Sequence, residues 1–229
     1  MQSGGLVREL SVRAAAGAAC GPAKEMGPRV LSTRGPDGDV QVLCKEFTAA
    51  DRYVADRAWE RAVLCECPFH PQGGCGLRRL GTYRRVQPEG VRVARFWCPR
   101  AGASISVLPA FLAARLCGTL DAVEAVVLAV EHAGGIARCV EHVHPADAAR
   151  PIGLVCARRS IRRRLDAVRD ALLAVVTLLP QRLAGIAPTV TALREALCTE
   201  RVLVTVRAMI EPHLSALATP LGFRNRASA

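Results

Sequence analysis

The sequence predicts a mainly α protein in which a small β-hairpin module precedes a helical bundle. Seven of the nine aromatic residues fall between Phe47 and Trp97, which indicates a small core in that part of the chain. Beyond Ser104 the apolar residues recur every three or four positions, the spacing of helices that bury one face. The chain is long enough, at 229 residues, for one large or two small domains.

The chain divides into four predicted segments. The first is rich in Gly, Ala and Arg and has weak periodicity, so we expect no regular structure there. The segments are a disordered leader (1–45), the hairpin module (46–104), a helical domain (105–180) and a C-terminal helical segment for packing or dimerisation (181–229).

The hairpin is predicted from two runs of strand-forming residues, Leu77–Val86 and Val91–Cys98. Between them lies Gln87-Pro88-Glu89-Gly90, whose proline and glycine are typical of a turn. We therefore expect an antiparallel pair that carries one cysteine at its end.

The helical domain begins, in this interpretation, with a helix capped by Ser106 that has Pro109 in its first turn. Its apolar residues continue to Leu116. A second helix starts after the capping residue Thr119 and ends at Gly134-Gly135. A short third helix follows over Ile136–Val143. A loop through His144-Pro145 comes next.

A long helix is predicted from about Pro151 to Leu179, where Pro180 ends it. Its apolar residues alternate at spacings of four and three, so one seam packs against a helix of this chain or of a second copy. The seam comprises Ile161, Leu165, Val168, Leu172, Val175 and Leu179. Two shorter helices follow, near Thr191–Cys198 and from Leu203, with Pro212 splitting or kinking the second.

The positive charge is concentrated in two short segments. The net charge is +11, and since Lys24 and Lys45 are the only lysines among 31 basic residues, arginine supplies 29. Residues 61–100 hold eight arginines against two acids, and residues 150–164 hold six arginines and no acid. This distribution favours a polyanion as the partner, and nucleic acid is the commonest one. A solvated charged face is the alternative, and a GC-rich genome would itself enrich arginine.

The chain lacks the sequence features of a secreted or membrane protein. Residues 1–12 contain no signal-peptide-like apolar run, and Ala171–Leu179 is far shorter than the roughly 18 residues of a membrane span. We therefore expect a cytoplasmic protein without a membrane partner. In that compartment thiols stay reduced, so clustered cysteines indicate metal more often than disulfides.

Four cysteines form a candidate metal site of zinc-ribbon-like character. Cys65 and Cys67 precede Cys75, and Cys98 follows across the hairpin. Four soft ligands of this kind can hold one structural zinc ion, which would stabilise a module with little core of its own. Since Ala101 stands where a ribbon's second knuckle usually has a cysteine, the remaining ligand is Cys75 or His70. A metal-free relic of a ribbon and unrelated buried cysteines remain alternatives.

The basic part of the long helix resembles the recognition helix of a helix-turn-helix unit. At roughly 100° per residue, and with Ile161 on the buried seam, the arginines cover almost all of the outer surface. They are Arg158, Arg159, Arg162, Arg163 and Arg164, and Arg84 and Arg85 on the hairpin are the further predicted DNA contacts. Contacts of this kind go mostly to phosphates and weaken with salt.

Four fragments together resemble an uncharacterised bacterial family associated with transposases. They are Cys65-Glu66-Cys67-Pro68 with His70-Pro71, Leu80 to Arg85, Arg95 to Pro99, and Ser104 to Leu112. Such proteins combine a cysteine-rich, zinc-ribbon-like segment with a helix-turn-helix. The resemblance spans about residues 60–170 and implies recognition of DNA ends or sites in a mobile element.

No catalytic motif is recognised in the sequence. A DNA-cutting transposase needs several carboxylates around two metal ions, and the segment after Arg164 has five acids in about 65 residues. We therefore expect no enzyme activity and no small-molecule substrate. The expected function is that of a DNA-binding accessory protein or remnant of a transposase, acting on duplex DNA as a monomer or homodimer. The alternative is a protein-interaction module without a nucleic-acid role.

Overall fold

The computed structural model describes residues 12–14, 40–47, 49–143, 151–214 and 217–223. Its strands are β1 Val12–Ala14, β2 Val40–Cys44, β3 Ala62–Leu64, β4 Arg78–Arg84, β5 Arg92–Cys98 and β6 Ala103–Pro109. Its helices are α1 Ala50–Ala55, α2 Ala58–Arg61, α3 Leu120–Ala133, α4 Ile136–Val143, α5 Pro151–Leu178, α6 Pro180–Leu183, α7 Val190–Leu197 and α8 Val202–Met209, followed by a 3₁₀ turn over Glu211–His213.

A four-stranded mixed sheet, formed by strands between residues 40 and 109, corrects the predicted mainly α fold. The strand order is β2-β6-β5-β4, with β2 parallel to β6 and the other pairs antiparallel. The hairpin of β4 and β5 is confirmed. Strand β2, however, comes from the range predicted as a leader, and residues 1–11 and 15–39 of that range lie outside the described residues.

Strand β6 replaces the first predicted helix of the bundle, so that part of the prediction is wrong. All seven residues from Ala103 to Pro109 are buried, because β6 is paired on both edges and side chains pack against both faces of the sheet. A short apolar run in a doubly covered strand cannot be distinguished from a buried helix by periodicity alone. The strand also spans the predicted boundary between residues 104 and 105.

The two faces of the sheet pack into two separate cores. Alternate side chains of a strand point to opposite faces. Val42, Phe96 and Ile105 therefore join a small core that also contains four cysteines. Leu43 and Leu108 face the other way and join the larger core shared with the helices.

The helices beyond residue 119 match their predicted positions closely. Thr119 accepts a hydrogen bond from the Ala122 N–H and so caps α3, and Gly134 ends it in a left-handed conformation. The apolar seam of α5 is buried within the chain from Ile161 to Val175, where α5 contacts α3 and α4, and Leu179 just beyond the helix is half-buried. No described helix combines the length and apolarity needed to cross a bilayer.

Two glutamates of α3 hold the C-terminal helices in place. The Glu131 carboxylate accepts hydrogen bonds from the N–H groups of Val190 and Thr191 at the start of α7. Glu124, seven residues earlier, does the same for Val202 and Leu203 at the start of α8. A carboxylate at a helix N-terminus compensates unpaired N–H groups and the helix dipole. The predicted C-terminal packing segment is therefore docked on α3 through helix ends.

Candidate metal centre and arginine surfaces

Four potential metal ligands converge beside the small core. The ligand atoms of Cys67, His70, Cys75 and Cys98 all lie within 4.8 Å of one another. The three cysteines are buried and His70 is half-buried. This group could hold a metal ion.

Tight turns bring these ligands together. The His70 N–H donates to the Cys67 carbonyl at 3.0 Å, so the two residues face each other across a Cys-x-x-His turn. Gly73 and Gly74 then adopt positive φ angles of 79° and 71°, which glycine accepts without strain, and the chain returns at Cys75. Cys98 ends β5 opposite Ala103 and completes the group from the sheet.

The distances within the group fit a tetrahedral arrangement. His70 Nδ1 lies 3.6 Å from Cys67 Sγ and 3.3 Å from Cys98 Sγ. A tetrahedral ion bound to sulfur and nitrogen separates those ligand atoms by about 3.6 Å. The Ala101 N–H also donates to Cys98 Sγ at 3.4 Å, an outer contact typical of metal-bound thiolates.

Without a cation the buried Cys67 thiol would stay protonated. Burial raises the pKa of the Cys67 thiol to about 12, and backbone hydrogen bonds only partly oppose that rise. A bound metal displaces thiol protons and favours the thiolate. A cation bound at the site would therefore have to displace the Cys67 proton against this rise in pKa.

Cys65, a predicted ligand, lies outside this group and His70 takes its place. Cys65 is half-buried just after β3 and is not among the four converging side chains. A chain needs about two intervening residues to turn back on itself. Cys67 and His70 have that spacing, whereas Cys65 and Cys67 do not. The sequence left Cys75 and His70 as alternatives for the remaining ligand, and both belong to the converging group in the structure.

Two hairpin arginines stabilise the protein's own backbone. The Arg85 guanidinium donates to the carbonyls of Ala113 and Leu116 at 3.1 and 2.6 Å. Arg79 donates to the carbonyls of Trp59, Glu60 and Ala62 near the end of α2. Arginine suits this role because its planar group offers several donors at once. Arg85, which was predicted to contact DNA, is half-buried and makes these internal contacts, whereas Arg84, also predicted, is exposed at the end of β4.

We expect Arg85→Gln to lower the free energy of unfolding by about 1–3 kcal/mol, because two backbone carbonyls lose a charged donor. The adjacent Arg84→Gln should change it by less than about 0.5 kcal/mol, as is usual for an exposed side chain. Urea denaturation of both variants measures the difference. Equal stabilities of the two variants would contradict the anchoring role of Arg85.

A buried arginine of α8 has a similar role that the sequence did not reveal. Arg207 is 1% exposed and donates to the carbonyls of Ala110 and Leu112. Burial lowers the pKa of its guanidinium to about 9. Its place on the apolar stripe of α8, four residues after Leu203 and three before Ile210, is the sequence feature that could have identified it.

The arginines of α5 face solvent. Arg158, Arg159, Arg162 and Arg163 are exposed and Arg164 is half-buried, on the sides of the helix away from the buried seam. Within the described ranges these five side chains form no ion pair with a carboxylate. The remaining arginine of this segment, Arg150, lies outside the described residues.

Comparison with known proteins adds no relative to this picture. No protein-family model, no curated protein and no solved structure matches the chain.

Proposed function

We propose that this chain binds duplex DNA through the outer face of α5. The observation that carries the proposal is the run Arg158, Arg159, Arg162 and Arg163, exposed together without a carboxylate partner among the described residues. Surface helices usually intersperse charges of both signs, because like charges at neighbouring helical positions repel each other. A polyanion would remove that repulsion.

The helical arrangement supports a groove-binding role for α5. Helices α3, α4 and α5 contact one another, and the seam that begins at Ile161 is buried among them, so the opposite face of α5 is left for a partner. Its 28 residues extend about 42 Å. The major groove admits a helix, and the basic half of α5 is suited to contacts with the flanking phosphates.

We further propose that the Cys67, His70, Cys75 and Cys98 group holds one structural zinc ion. Three thiolates and one imidazole are a donor set that zinc accepts in closed tetrahedral sites. All four side chains are protein ligands, so no coordination position is left for a substrate. The ion would stabilise the small core of the sheet and thereby the hairpin.

The biological role that we propose is that of an accessory protein or remnant of a transposase, without a catalytic step of its own. Support comes from the resemblance between residues 60–170 and transposase-associated proteins with a cysteine-rich segment and a helix-turn-helix. Recognition of a DNA end or site needs binding alone, which the arginines of α5 could supply.

We expect the purified protein to bind a random-sequence duplex with an affinity that falls at least about 100-fold between 50 and 200 mM salt, because several phosphates release counterions. Fluorescence anisotropy titrations at the two salt concentrations measure this. Binding that is absent or insensitive to salt would contradict the proposal and favour a protein-interaction module instead.

A further inference from the structure

The loop between β6 and α3 presents a single arginine to solvent. From residue 111 to residue 118 every side chain is buried except Arg115, which is exposed, and Cys117, which is half-buried. Within the described residues Arg115 has neither a hydrogen-bond acceptor nor a carboxylate partner for its guanidinium. The loop thus exposes one unpaired cation from an otherwise buried stretch.

Arg115 also adopts a backbone conformation that costs an L-residue free energy. Its φ angle is 56°, in the left-handed region that glycine enters without penalty. Among the described residues the other non-glycine examples are Arg57 and Cys198, and both adjoin helix ends, where this conformation is common. Arg115 ends no helix, so local helix geometry does not account for an arginine here.

The loop is held rigidly on both sides of its tip. The Arg85 guanidinium bridges the carbonyls of Ala113 and Leu116, which flank the exposed arginine. The Ala114 N–H donates to the Pro220 carbonyl at 2.9 Å. The backbone of such a loop loses little conformational freedom on binding, which favours a positioned contact.

The same contacts place the loop beside the tip of the β4–β5 hairpin. Cys117 Sγ lies 3.8 Å from the side-chain oxygen of Gln87, and Arg85 itself comes from the hairpin. The hairpin tip adds exposed Arg84 and Val86, the latter 86% exposed. The loop that carries Arg115 therefore adjoins the tip of the β4–β5 hairpin.

We infer that Arg115 is a second contact to the phosphate backbone of DNA, made by a rigid loop that fixes the orientation of the protein on the duplex. The inference rests on the proposed DNA binding through α5 and extends it. A phosphate contact of this type positions the protein without reading the sequence. The strained backbone is retained because the charged side chain is needed at a position where glycine would adopt the same φ without a free-energy cost.

Arg115→Gly tests this inference, because glycine relieves the backbone and removes the cation in one change. We expect the melting temperature to stay equal or rise, while the Kd for a random duplex at 100 mM salt increases about 3- to 10-fold and the salt slope falls by about 1. Arg115→Lys, which keeps a point charge for phosphate, should bind within about twofold of the unmodified protein.

Arg57→Gly is the matched control. It makes the same substitution at an exposed left-handed arginine, which is paired with Glu60 at 3.6 Å, and it should leave DNA affinity unchanged. Equal affinities of the two glycine variants, or a lowered melting temperature for Arg115→Gly, would overturn the inference while α5 binding stands. If the unmodified protein does not bind duplex DNA, both the inference and the proposed function fail.

Discussion

Replacing Arg158, Arg159, Arg162 and Arg163 together by glutamine should weaken duplex binding at least about 100-fold at 100 mM salt. Each phosphate that a cation neutralises contributes about 0.9 to the slope of log K against log salt, so four lost contacts should flatten that slope by about 3–4. Glutamine keeps good helix propensity and a side chain of similar length. Anisotropy titrations between 50 and 200 mM salt measure both quantities.

The matched control removes four exposed arginines from the region of α1 and α2 and from α6. They are Arg52, Arg57, Arg61 and Arg182. Both quadruple variants lower the net charge equally and should retain the circular dichroism of the unmodified protein. If they weaken DNA binding to the same extent, net charge alone explains the affinity and α5 is not the contact surface.

Loss of the metal should be the largest single effect on stability. We expect Cys98→Ser, or a strong chelator, to lower the free energy of unfolding by more than about 4 kcal/mol, because metal binding in such sites supplies folding free energy directly. The reason is local: three of the ligands belong to the small core between the sheet and β3, which buries few large side chains. Chemical denaturation with and without chelator measures the change.

Cys65→Ser is the control for the metal centre, since Cys65 lies next to the ligands in sequence but outside the group. It should retain about one equivalent of zinc by elemental analysis, and its cobalt-substituted form should keep thiolate-to-cobalt absorption. Cys98→Ser should lose both. Equal metal contents in the two variants, or no metal in the unmodified protein, would contradict the site.

The metal and the DNA predictions can fail independently. The ligands lie in the small core on one face of the sheet, whereas the seam of α5 belongs to the larger core on the other face. We therefore expect the chelated protein to lose hairpin structure first and to retain helical circular dichroism longer. A contact made by Arg84, at the end of β4, should be more sensitive to chelator than those made by α5.

Local sequence was sufficient to predict the helices beyond residue 119. Thr119 and Gly134 mark the two ends of α3, and the alternating spacing of Ile161, Leu165 and Val168 marks the buried face of α5. Caps, glycine stops and helical periodicity act within one or two turns of chain, so they are visible in sequence. The two-residue separation of Cys67 and His70 is likewise a local feature that is visible in sequence, although the sequence alone left the fourth ligand open.

Tertiary structure alone decided how the sheet is assembled and which arginines are available to a partner. Strand β2 pairs with β6 across more than 50 residues of chain. Arg85 and Arg207 donate hydrogen bonds to carbonyls of the loop after β6. Which distant strands pair, and which arginine reaches a buried carbonyl, depends on which segments meet in space. Every buried polar group needs a partner, whatever its position in the sequence. By itself, the sequence determined the main helices beyond residue 119, the hairpin and the segments in which arginine is concentrated. The fold then divided those arginines between internal support and exposed surface.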